Sequence, residues 1–133
     1  MICVDTTYII DLWRNKGDAG HPAVEMLGKY EGETFMVPAH AAGEFLEGGA
    51  CISEQRFRDS LRFVRMFKIA SAGIETASHY ARIVSDLRER SLLVGSSKPD
   101  LWIAACALEH GAMLLTRNDR HFQHVHQLSI LTY

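Results

Sequence analysis

Five short apolar runs, separated by stretches of helical period, constrain this chain more than any other feature. Ile2-Cys3-Val4, Thr34-Phe35-Met36-Val37, Lys68-Ile69-Ala70, Met113-Leu114-Leu115 and Leu128-Ser129-Ile130-Leu131 read as strands. Between them the spacing changes. Tyr8, Ile9, Leu12 and Trp13 fall at i, i+1, i+4 and i+5, one stripe of a helix. That spacing predicts a helix starting at Thr6, with Asp5 or Thr6 as its N-cap and Gly17 as its stop. Ala23, Val24, Leu27 and Tyr30 mark a second helix behind Pro22. A third runs from Ala39 to Glu47, ended by Gly48-Gly49, and Phe57, Leu61, Val64 and Phe67 mark a fourth. Ile74, Ala77, Ala81 and Val84 mark a fifth that reaches Arg90. Ser97 with Pro99 behind it signals the start of a sixth, which ends at Gly111.

Strands alternating with helices need crossover connections, hence a parallel sheet. The near-continuous apolar strands agree, because a strand covered on both faces has no polar side. The expected fold is an α/β three-layer sandwich, a mostly parallel central sheet with helices on both faces. No repeat or linker divides the 133 residues, so one domain over residues 1–133 is expected.

Composition then narrows the function classes. The longest apolar run, Leu101 to Leu108, is far short of the ~18 residues that would span a bilayer. The N-terminus has no basic region, so it does not read as a signal peptide. Cys3, Cys51 and Cys106 are odd in number and lack CxxC spacing, which suits free thiols in a reducing compartment. A cytoplasmic chain without membrane contact is expected. The net charge of −2, from 14 Lys and Arg against 16 Asp and Glu, argues against a large basic surface. It does not exclude nucleic acid, since acids gathered round a metal hide basic patches in the total.

In an open parallel sheet, ligands bind outside the carboxyl ends of the strands. Asp5 stands at that end of the first strand, and Asp119 lies just past that end of Leu114-Leu115-Thr116. Glu44 is ~7 Å along the helix that leaves the strand ending at Val37. Asp100 opens a helix that feeds the next strand, so its first turn lies at the same edge. It also shares a helix line with Ile103, Ala104 and Ala107, which turns it inward. Asp5 and Asp100 taken singly read equally well as helix caps. Four acids converging from four segments, with no obvious Arg or Lys partner, point to a divalent cation, and oxygen ligands suit Mg²⁺ or Mn²⁺.

These residues resemble a known family. Asp5-Thr6-Thr7-Tyr8-Ile9-Ile10 behind an apolar strand is similar to the opening motif of PIN domains, the fold of VapC-type toxins. Glu44-Phe45-Leu46-Glu47-Gly48 resembles their second motif, and Asp100-Leu101-Trp102-Ile103-Ala104-Ala105 their third. Leu115-Thr116-Arg117-Asn118-Asp119-Arg120-His121-Phe122 resembles the fourth. In much of the family the fourth acid lies two residues after the threonine, which here is Asn118. Asp119 follows immediately, so either residue fills the fourth place.

The resemblance implies a single PIN-like domain that is a Mg²⁺-dependent endoribonuclease, the toxin of a toxin–antitoxin pair, with Mn²⁺ as an alternative ion. Asp5, Glu44, Asp100 and Asp119 would be its catalytic and metal-binding acids. Thr7, Thr116 and Asn118 would position those carboxylates. Attack by metal-activated water would leave a 5′-phosphate and a 3′-hydroxyl. RNA is the implied substrate, with an antitoxin and a second copy of the chain as partners. Arg117 and Arg120 flank the site and, with His121, are the candidates for phosphate contact.

Other signals weigh less. His121, His124 and His126 lack an adjacent Cys, so they do not read as a closed zinc set. Arg58, Arg62 and Arg65 form one helical stripe, which reads as a solvated face before it reads as a contact for RNA or an acidic tail. A phosphoacceptor receiver domain would need a Lys ending a late strand, where this chain has Thr116-Arg117. A PIN-like module that binds without cutting remains the main alternative, and metal-dependent cleavage of labelled RNA separates the two.

Overall fold

The computed structural model describes residues 1–133. In chain order it contains β1 (Ile2–Val4), α1 (Thr6–Asn15), α2 (Pro22–Lys29), β2 (Phe35–Pro38), α3 (Ala39–Ala50) and α4 (Glu54–Val64). There follow β3 (Lys68–Ala70), α5 (Ile74–Glu89), α6 (Lys98–Glu109), β4 (Met113–Leu115) and β5 (Ile130–Leu131). The strands form one sheet in the order β3-β2-β1-β4-β5, and every neighbouring pair is parallel. No helix is long and apolar enough to cross a membrane.

β1 is the middle strand: Ile2 pairs with Phe35 on one side and with Met113 on the other. A strand with neighbours on both edges and helices over both faces has nowhere to put a polar side chain. Ile2, Cys3 and Val4 are accordingly all buried. From β1 the chain crosses outward to β2, whereas from adjacent β4 it continues to β5 on the opposite side. Connections that part in this way open a crevice at the carboxyl ends of the two strands. Asp5 follows β1 and Thr116 follows β4, so both stand at its floor.

Around the sheet, the aromatic rings tie the helices together. Trp13 of α1 meets Phe63 of α4 edge-on at 4.9 Å, and Phe45 of α3 packs against both. Ser53 caps α4, its hydroxyl accepting from Arg56 N at 3.0 Å, so that helix begins before its apolar stripe does. Gly111 takes φ +58° where α6 hands over to β4, the left-handed turn expected of a terminating glycine. Arg58, Arg62 and Arg65 are all exposed, as a solvated face requires.

One boundary corrects the expectation. Gly48-Gly49 does not end α3, which continues to Ala50. Gly49 is there for packing: a Cβ at this position would lie 2.6 Å from Ser60 Oγ and 3.1 Å from the Arg56 carbonyl oxygen. Its bare backbone lets α3 and α4 close on one another. β5 is also shorter than its apolar run, only Ile130–Leu131 pairing with β4.

Candidate active site

Asp5 is the anchor of the crevice. Its peptide N–H donates to the Leu115 carbonyl at 3.2 Å, which stitches the end of β1 to β4. The residue is only 3% exposed, and its carboxylate accepts from three sides. Tyr8 N donates to Oδ1 at 2.8 Å, capping α1, and the Thr7 hydroxyl lies 2.8 Å from both oxygens. The Thr116 hydroxyl donates to Oδ2 at 2.5 Å and itself accepts from Asn118 N at 2.9 Å. Burial pushes the Asp5 carboxyl above the ordinary Asp range. The hydrogen bonds from Thr116, Tyr8 and Thr7 pull it back, and the charge of nearby Asp100 adds to the rise.

Above Asp5 lies an open cleft of about 450 Å³. Glu44, Glu47, Asp100, Asn118 and His121 line it with Asp5, and Thr6, Thr7 and Ser97 complete its polar wall. The Thr6 hydroxyl donates to Glu44 Oε2, which joins the first turn of α1 to α3. Asp100 does not cap its own helix: Ser97 is the N-cap of α6 and makes no side-chain cap bond. The Asp100 carboxylate instead lies 3.0 Å from His121 Nδ1, a contact that needs a proton on that nitrogen.

The fold thus brings Asp5, Glu44, Asp100, Thr7, Asn118 and His121 to one cleft, with Thr116 directly behind Asp5. Asp119 lies outside it. Its side chain is exposed, and Oδ1 accepts from Arg120 N at 2.9 Å at the start of a 3₁₀ turn, Asp119–His121. The bond from Asn118 N to Thr116 fixes the turn so that Asn118, one residue earlier, meets the cleft. Arg117 and Arg120 are exposed and do not line the cleft. Arg117 pairs with Asp11 at 2.8 Å, and Arg120 forms no ion pair.

Three polar residues of the cleft, Thr6, Glu47 and Ser97, were not site candidates in the sequence, and neither was the link between Asp11 and Tyr133 outside it. Glu47 had a signal, since it follows Glu44 by three residues and so shares its helix face. Tyr133 had none, because its link to Asp11 spans the whole chain.

The cleft offers carboxylate, amide and hydroxyl oxygens and no Lys or Arg. That donor chemistry fits a hard divalent cation. No three acids or histidines converge closely enough to form a closed cage. An ion that keeps several of its waters, as Mg²⁺ does, needs no such cage. Beside the cleft, and sharing Ile10 and Glu44 with it, runs a groove whose apolar lining includes Trp13, Phe45 and the exposed Ile52. Arg14 and Arg56 also line it, and a second groove that shares Trp13 and Arg56 with it is lined by Lys16, Asp59, Arg62, Phe63 and Met66.

Comparison with known proteins bears on this arrangement. Residues 2–128 match the family model of the PIN domain. The chain is 32% identical to Ribonuclease VapC1 of Rickettsia felis over 136 aligned positions, covering 98% of this chain and 95% of the relative. It is 29% identical to Ribonuclease VapC1 of Methanocaldococcus jannaschii, covering 99% and 86%. Among solved structures, VapBC2 from Rickettsia felis, bound to a DNA fragment from its promoter, superposes with a TM-score of 0.82 at 20% identity, over 100% of this chain and 99% of that one. DNA-bound VapBC from Salmonella typhimurium gives 0.84 at 19% identity, over 98% and 96%. The matched residues run from β1 into the segment before β5 and include every acid of the cleft: the chain belongs to the PIN domain family.

Proposed function

We propose that this PIN domain is a Mg²⁺-dependent endoribonuclease, with Mn²⁺ as the alternative ion, and the toxin of a toxin–antitoxin pair. The carrying observation is the cleft itself: a buried Asp5 facing Glu44 and Asp100 at the sheet's switch point, without a Lys or Arg to balance them. The ribonuclease names of relatives that span nearly the whole chain support the same reading.

In this reading Asp5 and Asp100 hold the ion, Glu44 orients water or a second ion, and the Asn118 amide takes the fourth place. A divalent cation bound there supplies Lewis acidity towards a phosphodiester and eases the ionisation of water. Thr7 and Thr116 hold the Asp5 carboxylate in one rotamer, since each donates to it. His121 fixes Asp100 in the same way. Water oxygen bonds to phosphorus, the bond to the 3′ oxygen breaks, and a 5′-phosphate and a 3′-hydroxyl result. The antitoxin's place is the neighbouring groove. A segment with apolar anchors and acidic flanks matches Trp13, Phe45 and Ile52 between Arg14 and Arg56.

The test is cleavage of labelled RNA by the purified chain, with Mg²⁺ and with chelator. Asp5→Asn and Asp100→Asn should each lose at least ~100-fold in rate, more than is typical of losing a residue that only supports a ligand. Asn118→Ala should lose more than Asp119→Ala. Ends bearing 2′,3′-cyclic phosphate, or undiminished cleavage in chelator, would overturn the mechanism.

A further inference from the structure

The nuclease reading leaves one buried acid unused. Asp11 sits on α1, one turn beyond Thr7, and is 8% exposed. A carboxylate so placed needs partners, because an unpaired buried charge is costly. Two reach it from the far end of the chain. The Tyr133 hydroxyl donates to Oδ2 at 2.9 Å, and Arg117 Nη1 lies 2.8 Å from the same oxygen. Tyr133 is itself held edge-on against Tyr8, with ring centroids 5.2 Å apart. Burial and then Asp11 push its hydroxyl up, so it remains a proton donor.

Arg117 is the informative partner. It follows Thr116, which donates to Asp5, and precedes Asn118, which lines the cleft. Its side chain is 58% exposed although one nitrogen is tied down. A guanidinium carries five N–H donors in a rigid fork, so a single anchor leaves most of them free. An arginine ordered beforehand loses less freedom when it meets an anion.

We propose that Asp11 is a positioning residue for RNA: it anchors Arg117 by one nitrogen beside the cleft, so that the rest of the guanidinium receives a substrate phosphate. This rests on the nuclease reading. The bland role for Asp11, a tie between α1 and the ends of β4 and β5, makes a different prediction, because loss of a tie lowers stability without altering how substrate phosphate is felt.

The experiment measures kcat and KM on labelled RNA with Mg²⁺ across a roughly fourfold range of KCl, a span over which phosphate contacts register clearly. Parent, Asp11→Ala, Asp11→Asn, Arg117→Ala and the Asp11→Ala/Arg117→Ala double variant are compared. Arg117→Ala should raise KM about tenfold, the order expected of one charge-assisted contact, with kcat held. Asp11→Ala should do nearly the same, and the double variant should be no worse than Arg117→Ala alone. Each should flatten the slope of log KM against log salt by up to about 0.7, the share of one phosphate on a single strand. Asp11→Asn, which keeps an acceptor for Tyr133, carries the same comparison if Asp11→Ala does not fold. Tyr133→Phe, which leaves Arg117 anchored, should leave KM at the parent value. Multiplicative effects in the double variant, or an Asp11→Ala protein with parental KM and salt slope, would overturn the inference and leave the nuclease reading standing. A parent that cleaves no RNA with Mg²⁺ would overturn both.

Discussion

Asp5 shows how two readings of one residue turn out to be compatible. The sequence sets helix capping against a place in the site as alternatives, yet one carboxylate does both. Oδ1 takes the Tyr8 N–H that caps α1, and the same group lies in the cleft beside Glu44 and Asp100. The cost appears in its ionisation, which burial makes unfavourable. In metal-free protein, the folded chain holds the Asp5 proton above ~3.9, where the unfolded chain has released it. In that range, from the unfolded pKa up to the raised folded one, the folded state binds more protons, so this contribution to stability falls as pH rises. Urea melts in chelator should show the parent gaining stability relative to Asp5→Asn as pH drops through that window. A parent that loses stability relative to Asp5→Asn there would contradict the burial of an unbalanced carboxylate.

At the scale of elements, Gly48 and Gly49 separate what patterning reveals from what packing hides. The apolar strands were legible because a strand buried on every side leaves a run with no polar member, as β1 does. The stop after Glu47 was misread because a glycine pair looks alike whether it ends a helix or admits a neighbour. Only the approach of Ser60 to Gly49 tells them apart. Gly49→Ala should cost ~1–3 kcal/mol by overpacking α3 against α4. Gly48→Ala, which meets nothing within 4 Å, should gain up to ~1 kcal/mol as an ordinary helix-interior replacement. Thermal melts of the two variants check this, and equal effects would mean that α3 ends where the glycines begin. That Asn118 and not Asp119 lines the cleft has the same origin. Spacing placed both near the edge of the sheet, and a single hydrogen bond from Asn118 N to Thr116 decided which one meets the cleft.

For the whole molecule, the candidate site is a junction of distant segments. Asp5 closes β1, Glu44 rides on α3, Asp100 opens α6 and Asn118 follows β4. The order of the motifs made this junction legible, because an alternating α/β chain must bring the ends of its parallel strands to one edge. Links such as Tyr133 to Asp11 carry no local pattern and were not. A cation held by Asp5 and Asp100 would act as a cross-link among elements that the chain joins only through long connections. Binding to the folded state alone then stabilises by RT ln(1 + [ion]/Kd), about 2.7 kcal/mol at a hundredfold excess over Kd. For a chain of this size that is a rise of roughly ten degrees in Tm. Mg²⁺ should therefore raise the parent's Tm over its value in chelator, and should raise those of Asp5→Asn and Asp100→Asn much less. Asp119→Ala should respond as the parent does, because its side chain stands outside the cleft. An equal Mg²⁺ response in the parent and Asp100→Asn would mean that the ion binds elsewhere, and the carboxylates would have to be read as helix caps and hydrogen-bond acceptors alone.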